Sequence, residues 1–229
     1  MSETPDLLTA LRTTGATREF TAEPVDDATL RRVLDTARFA PSGGNRQGWR
    51  VIVLQSREVR RQLRDVYLPG WYEYLAIRAA GLTPFAPITD RAAEATAAAN
   101  AVPIETGFPE HLDEVPVLLA VTVDLRDLAA VDRDLDRYTF AGGASVYPFC
   151  WNLLLAARAE GLGGVITTMA IRAEPEVREL LGLPDEVALA AVIALGHPVK
   201  QLSKLNREPV EAFTTVDRHD GEPFPGGAM

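Results

Sequence analysis

Two almost entirely apolar runs constrain the fold of this chain more than any other feature. The runs are "VPVLLAVTVDL" (residues 115–125) and "VALAAVIALG" (187–196), and Asp124 is their only charged residue. A strand with one solvated face alternates apolar and polar residues, whereas a continuous apolar strand is typical of one covered on both faces. The chain must therefore supply helices for both sides of a sheet, and its 229 residues are enough to bury such a core.

Apolar residues at helical spacing predict the helices that would cover this sheet. The predicted helices are residues 5–13, 26–40, 57–80, 142–161 and 174–182, and the second is capped by Asp26 or Asp27. "WRVIVL" (49–54) predicts a further strand, and "GVITTM" (164–169) fits either a sheet edge or a loop. This is an α+β pattern with few strands. The helices are more apolar than a small sheet could cover, so we expect a partner subunit.

Charge and cysteine content exclude several classes of function. The formal net charge is −9 and no basic run occurs, which argues against a nucleic acid or an anionic membrane as a partner. Cys150 is the only cysteine and the three histidines are scattered, so we expect neither a disulfide nor a metal site. The first residues lack a signal peptide's features and no apolar run is long enough to span a membrane. We therefore expect a soluble, cytoplasmic protein.

Two regions are irregular within what we interpret as a single domain, residues 1–229. Residues 81–110 contain four prolines around an alanine-rich middle and predict a mobile excursion or lid. Residues 197–229 are polar and proline-rich and predict a C-terminal arm that lies against another surface. Within the arm, "VEAFTTV" (210–216) is strand-like.

The segment "APSGGNRQGWRVIVL" (40–54) concentrates hydrogen-bonding residues between a helix and a strand. Asn45 and Gln47 each present a donor and an acceptor, which suits a planar heterocycle with alternating N–H and C=O groups. The order helix–loop–strand is the reverse of that in a P-loop, and also of a nucleophile elbow built on Ser42. We therefore favour a large, polar, planar ligand over a nucleotide loop or a serine hydrolase.

Three arginines and an aromatic cluster could complete a site for such a ligand. Arg12 and Arg18 lie beside hydroxyl groups in "LRTTGATREF" (11–20), and Arg207 lies in the arm; together they could grip a phosphate. An aromatic set on the helix of residues 57–80 either lines a planar pocket or simply packs; its members are Tyr67, Trp71, Tyr72 and Tyr74.

In four segments the chain resembles the nitroreductase family of FMN-dependent oxidoreductases. These are "TGATREF" (14–20), "APSGGNRQGWRVIVL" (40–54) with Gly48 in place of a proline, "NLLLAARAEGLGGVITT" (152–168) and "NREP" (206–209). The resemblance implies a nitroreductase-like α+β fold, with a small mixed or antiparallel sheet surrounded by helices. It also implies an interlocked homodimer with two FMN sites at the subunit interface.

The resemblance assigns roles to particular residues. It places the flavin ring against a loop from the neighbouring subunit, formed by Pro41, Ser42, Gly43 and Asn45 with Gln47 close by. Thr167 and Thr168 would lie by the N5 and O4 edge of the flavin, and Arg18 and Arg207 would hold the phosphate. Trp71 and Tyr74, with residues 81–110, would form the lid that sets substrate choice.

The implied reaction passes hydride from NADH or NADPH to flavin N5 and then to a small-molecule acceptor such as a nitroaromatic or a quinone. The cofactor carries this chemistry, so no catalytic acid or base is required in the sequence. Two alternatives stay open. One is a family member with other flavin chemistry, such as a dehydrogenase, a dehalogenase or a flavin-fragmenting enzyme. The other is a non-enzymatic ligand-binding protein.

One departure from the family pattern concerns the phosphate. Gly15 and Ala16 stand where the family has an arginine and a serine, so a charge and a hydroxyl are missing. Arg12 precedes Gly15 by three residues, and on a continuous helix it would share its face and compensate. We expect weakened rather than abolished FMN binding, because a charge-assisted contact contributes roughly 1.5–3 kcal/mol.

Overall fold

The computed structural model describes residues 4–225 and contains one four-stranded sheet. The strands are β1 (Trp49–Val53), β2 (Val117–Asp124), β3 (Gly163–Thr167) and β4 (Val187–Gly196). Their order across the sheet is β1-β2-β4-β3, and every neighbouring pair is antiparallel. The predicted small sheet is therefore confirmed, and the segment that fitted either an edge strand or a loop is the edge strand β3.

The two apolar runs form the two central strands, as their composition predicts. Every residue of β2 from Val117 to Val123 is buried. Alternate residues face opposite layers: Leu119 packs into the cluster that contains α-helical Leu153, and Leu118 packs into the cluster that contains Leu63. Helices thus cover both faces of the sheet, which is why these strands tolerate almost no polar residue.

Six helices surround the sheet in the described part of the chain. They are α1 (Leu7–Thr13), α2 (Asp27–Ala37), α3 (Arg57–Ala79), α4 (Arg91–Ala98), α5 (Tyr147–Ala159) and α6 (Glu174–Leu181). Asp6, Asp26 and Ser56 cap the first three, each accepting a backbone N–H of the first turn. Helix α5 begins at Tyr147, later than predicted, because residues 141–145 form a 3₁₀ turn and Pro148 suits a helix start.

The region 81–110 is more ordered than its composition suggests. Its alanine-rich middle forms α4, a helix that the sequence analysis did not predict, and α4 packs against α3. The buried Glu94 carboxylate accepts the Phe85 N–H at 2.7 Å. Trp71 Nε1 on α3 donates to Thr106 Oγ1 at 2.9 Å. Two hydrogen bonds therefore fix this region where few large apolar side chains are available.

The arm runs over the surface and contains no regular strand up to residue 225. The prediction of a strand at "VEAFTTV" is wrong: Val210–Ala212 form a 3₁₀ turn, and Thr215 makes an isolated bridge with Pro223. The arm begins beside the end of α1. A Cβ added to Gly15 would lie 2.8 Å from a methyl of Leu202 and 2.8 Å from a methyl of Leu205.

Helix α2 and the sheet cover helix α5 without a partner subunit, whereas helix α1 exposes apolar side chains. Cys150 and Leu153 of α5 are fully buried within the single chain, between α2 and the sheet. Exposed apolar side chains lie elsewhere, at Leu7 (69% exposed) and Leu8 (59%) on α1 and at Phe39 (73%). Within residues 4–225, no helix is long and apolar enough to cross a membrane.

Candidate functional site

An extended segment, residues 14–20, follows α1 and lies along the edge strand β3. Thr17 N–H donates to the Gly164 carbonyl at 2.8 Å, and Ala16 forms a bridge with Gly164. A Cβ on Gly163 would lie only 2.6 Å from Thr17 Oγ1, so glycine permits this close approach. The segment runs between two cavities, since Thr14 lines one and Arg18 lines the other.

The first, the cation-lined cavity, has a volume of about 780 Å³ and lies between α1, α5 and the arm. Its walls carry Arg12 from the last turn of α1 and Lys204 and Arg207 from the arm. None of these three cations forms a salt bridge with a carboxylate of residues 4–225. Thr14 also lines the cavity, and its buried hydroxyl has no hydrogen-bond partner in the same part of the chain. Three cations without a carboxylate partner, together with the Thr14 hydroxyl, fit an anion such as a phosphate.

The second, the aromatic cavity, has a volume of about 470 Å³ and lies between α3, the end of β3 and residues 106–109. Trp71 and Tyr74 stack in its wall with ring centroids 5.2 Å apart and planes 9° from parallel. Arg18 lines the same cavity with Thr167 and Thr168. Flat apolar surfaces beside a cation and two hydroxyls fit a planar heterocycle with polar edges.

Tyr67 and Thr167 form a hydrogen-bonded pair in the aromatic cavity. Tyr67 on α3 is 3% exposed, and its hydroxyl lies 3.0 Å from Thr167 Oγ1. Burial raises the pKa of Tyr67 above its usual value, so the phenol keeps its proton across the neutral range.

The loop of residues 41–47 has a strained backbone and lies outside both cavities. Asn45 and Gln47 each have a φ of 53°, in the left-handed region that non-glycine residues rarely adopt. One local and one long-range hydrogen bond hold this conformation: Gln47 N–H donates to Ser42 Oγ at 3.0 Å, and Gly43 N–H donates to Ser145 Oγ at 3.1 Å. Such outliers concentrate at functional sites. The exposed loop includes the predicted Pro41.

The structure groups the predicted residues differently from the sequence analysis. Arg12 and Arg207 come together in the cation-lined cavity, whereas Arg18 lies in the aromatic cavity. The reason given for Arg12 is wrong, because α1 ends at Thr13 and Gly15 lies beyond the helix. Arg12 reaches the cavity from the helix end instead.

One contribution to the site was missed. Lys204 lies three residues before Arg207, and a basic residue there was a usable signal. Of the aromatic set on α3, Tyr67, Trp71 and Tyr74 line the aromatic cavity. Within residues 81–110, residues 106–109 line the same cavity.

The fold and the two cavities fit a class of protein that binds a planar, phosphorylated ligand at the edge of a small antiparallel sheet. Sequence comparison then assigns the family. The model of the nitroreductase family matches residues 11–197. A protein named NADH dehydrogenase from Thermus thermophilus is 30% identical over 216 residues, which cover 90% of this chain and 93% of that relative. The chain belongs to the nitroreductase family, which confirms the predicted class of enzyme, an FMN-dependent oxidoreductase.

Solved structures agree with the fold. The NADPH:FMN oxidoreductase of Vibrio harveyi, complexed with NAD⁺, superposes with a TM-score of 0.65 at 20% identity and covers 93% of this chain and 77% of that chain. An oxidised iodotyrosine deiodinase bound to FMN and 3-iodo-L-tyrosine has a TM-score of 0.62 at 24% identity, and the coverage is 94% and 99%. The predicted nitroreductase-like fold is confirmed.

Proposed function

We propose that this chain is a homodimeric FMN-dependent reductase that uses NADH or NADPH to reduce a nitroaromatic, a quinone or a similar small acceptor. The observation that carries the proposal is the extended segment from Thr14 to Arg18, which joins the cation-lined cavity to the aromatic cavity. Four residues of extended chain span roughly 13 Å. This distance suits one ligand that has an anionic end in the first cavity and a planar end in the second.

The residues of the cation-lined cavity fit the phosphate of FMN. Arg12, Lys204 and Arg207 would hold it, and their lack of carboxylate partners within residues 4–225 leaves their charges available. The surroundings of Gly15 account for the replacement of the family's arginine by glycine. The arm leucines pack directly on Gly15, so the space for a side chain is used to dock the segment that carries Lys204 and Arg207. Lys204 thus offsets the lost charge, beside Arg207, which the family pattern already includes.

The residues of the aromatic cavity fit the flavin ring. The cation Arg18 would stabilise negative charge on the reduced ring, and the hydroxyls of Thr167 and Thr168 would meet its polar edge. Trp71 and Tyr74, with residues 106–109, would exclude water and shape the acceptor's place, which is the proposed lid function of residues 81–110. Bound FMN supplies the hydride-accepting and hydride-donating chemistry, so no side chain has to act as the redox group.

A second copy of the chain would complete the site. The loop of residues 41–47 is strained and exposed and contacts neither cavity of its own chain. Apolar side chains are exposed on α1, at Phe39 beside this loop, and on the arm at Phe213. Association through these surfaces would bury them and bring the loop's donors to the partner's flavin.

A cytoplasmic location also belongs to this proposal. Cys150 is a free, buried thiol, and burial raises its pKa to about 12, which makes it unreactive. A chain with one free thiol forms no internal disulfide and does not depend on an oxidising compartment.

Reductive dehalogenation is a second candidate. The superposition on the iodotyrosine deiodinase covers 99% of that chain, so nearly all of the deiodinase fold has a counterpart in this chain. The two candidates share the flavin site and differ only in the acceptor. Iodide release from 3-iodotyrosine under reducing, anaerobic conditions would favour dehalogenation over nitro and quinone reduction.

The first test is the visible spectrum of the purified protein with added FMN, before and after NADH or NADPH under anaerobic conditions. We expect flavin bands that bleach with the pyridine nucleotide and return with a quinone. Sedimentation should give the mass of a dimer. A protein that stays free of FMN at saturating concentration would contradict the proposal.

A further inference from the structure

The hydrogen bond between Tyr67 and Thr167 has a direction that can be worked out from its surroundings. The Tyr67 hydroxyl has one hydrogen-bond partner within residues 4–225, Thr167 Oγ1 at 3.0 Å. Thr167 Oγ1 has a second, weaker neighbour, the Met169 N–H, which donates to it at 3.5 Å. Both residues line the aromatic cavity. Thr167 is half-buried there, whereas Tyr67 is 3% exposed, so the Thr167 hydroxyl is the more accessible of the two.

The difference in exposure favours one direction, in which the less accessible proton is paired. If Thr167 donated, the phenolic proton of Tyr67 would be buried without an acceptor in the described part of the chain, and such a loss costs about 1–3 kcal/mol. If Tyr67 donates, its proton is paired, and Thr167 Oγ1 acts as an acceptor from both neighbours. The Thr167 hydroxyl proton then has no acceptor among the same residues and points into the cavity that the residue lines.

We propose that Tyr67 is a positioning residue: by donating to Thr167, it turns the Thr167 hydroxyl into a fixed donor that faces the bound ligand. The proposal rests on the proposed function, in which the ligand is FMN and the acceptor is a nitrogen or carbonyl oxygen on the polar edge of its ring. A donor fixed before the ligand arrives needs no reorganisation when the electron density of the ring changes.

The elements that carry the pair hold it rigidly. Tyr67 lies in the middle of α3 and belongs to the core cluster on one face of the sheet. Thr167 ends β3, which is paired with the central strand β4. Gly70 lets α3 approach the turn that follows β3, since a Cβ on Gly70 would lie 3.2 Å from Met169 Sδ in that turn. The distance between the two hydroxyls is therefore set by core packing, not by a mobile loop.

The test is the two-electron midpoint potential of bound FMN, measured by anaerobic equilibration with a reference dye. We expect Tyr67→Phe to change the equilibrium constant for flavin reduction about threefold to tenfold, or roughly 14–30 mV. Thr167→Val should shift the potential in the same direction. The double variant should shift it no further than Thr167→Val alone, because Tyr67 acts only through that hydroxyl. Thr167→Ser, which keeps a hydroxyl, should restore most of the wild-type value.

Tyr147→Phe is the matched control. The Tyr147 hydroxyl also makes one hydrogen bond, to the Ala190 carbonyl at 3.2 Å, and lines neither cavity. It should lower the melting temperature about as Tyr67→Phe does and leave the potential unchanged. A chain that binds FMN but shows a wild-type potential in Tyr67→Phe, or additive shifts in the double variant, would overturn this inference alone. A chain that binds no FMN would overturn the proposed function and this inference with it.

Discussion

The two cavities use opposite means of recognition. The cation-lined cavity is built from exposed side chains of α1 and the arm, segments far apart in sequence, and none of its three cations has a carboxylate partner within residues 4–225. The aromatic cavity is built from α3 and β3, and its side chains are stacked or hydrogen-bonded to one another.

The two kinds of recognition differ in whether a residue elsewhere in the chain can take over a lost contact. A charge acts over several ångströms in any direction, so a phosphate can be held by cations from different places in the chain. This explains how Gly15 and Ala16 can replace an arginine and a serine without removing the cavity's positive potential. Stacking and hydrogen bonding require fixed directions and therefore fixed elements.

The largest expected effect is on the affinity for FMN when two cations are removed. Arg12→Ala combined with Arg207→Ala should raise the Kd for FMN about a hundredfold or more, since each charge-assisted contact contributes roughly 1.5–3 kcal/mol. Riboflavin, which lacks the phosphate, should bind the variant as it binds the wild type. Fluorescence titration measures both. Arg218→Ala removes an arm arginine that pairs with Asp220 instead, and should have no effect.

Removing the charge of Arg18 should affect FMN and riboflavin equally, unlike removing Arg12 and Arg207. Because it lines the aromatic cavity, Arg18→Gln should weaken FMN and riboflavin alike, by about tenfold. Arg18→Lys keeps the charge and should lose less. A selective loss of FMN in Arg18→Gln would show that Arg18 serves the phosphate after all, and the division between the two cavities would fail.

A smaller effect is expected on the acceptor. Trp71→Phe removes the hydrogen bond to Thr106 that ties α3 to the proposed lid, and should change the KM for the acceptor roughly twofold to tenfold. Thr106→Val removes the same bond from the other side and should give a similar change. Steady-state kinetics with a quinone checks both. If only one variant altered KM, the bond itself would not be the cause.

The smallest effect is on stability at alkaline pH. The pKa of Tyr67 is raised by burial, so above about pH 10 the unfolded chain loses this proton while the folded chain keeps it. The folded state then binds more protons, and the free energy of unfolding falls as pH rises. Urea unfolding at pH 8 and 10.5 should show a smaller fall in Tyr67→Phe than in the wild type.

The parts of the fold that burial dictates were predictable from sequence. Continuous apolar runs of this length are typical of covered strands, so β4 was predicted with its exact bounds and β2 to within two residues at each end. Helix α4 was not, because alanine gives a helix little apolar surface, and a hydrogen bond between Glu94 and Phe85 fixes it instead.

The candidate site was predicted by residue type and less well by position. Arg12, Arg18 and Arg207 were singled out as cations, but the end of α1 at Thr13 decides which of them meet. Along the extended segment Thr14 lines the cation-lined cavity and Arg18 lines the aromatic cavity, a separation that helical spacing does not predict. The strained loop lines neither cavity of its own chain; in the proposed dimer it would lie in the partner's site, which the sequence of one chain does not place.

Gly15 couples two equilibria that look separate. Because the arm leucines dock on its bare backbone, Lys204 and Arg207 reach the cavity only when the arm is in place. Ligand binding and arm docking must then favour each other by the same factor, as thermodynamic linkage requires. FMN would protect the arm from proteases, and a chain clipped before Lys204 would release its flavin.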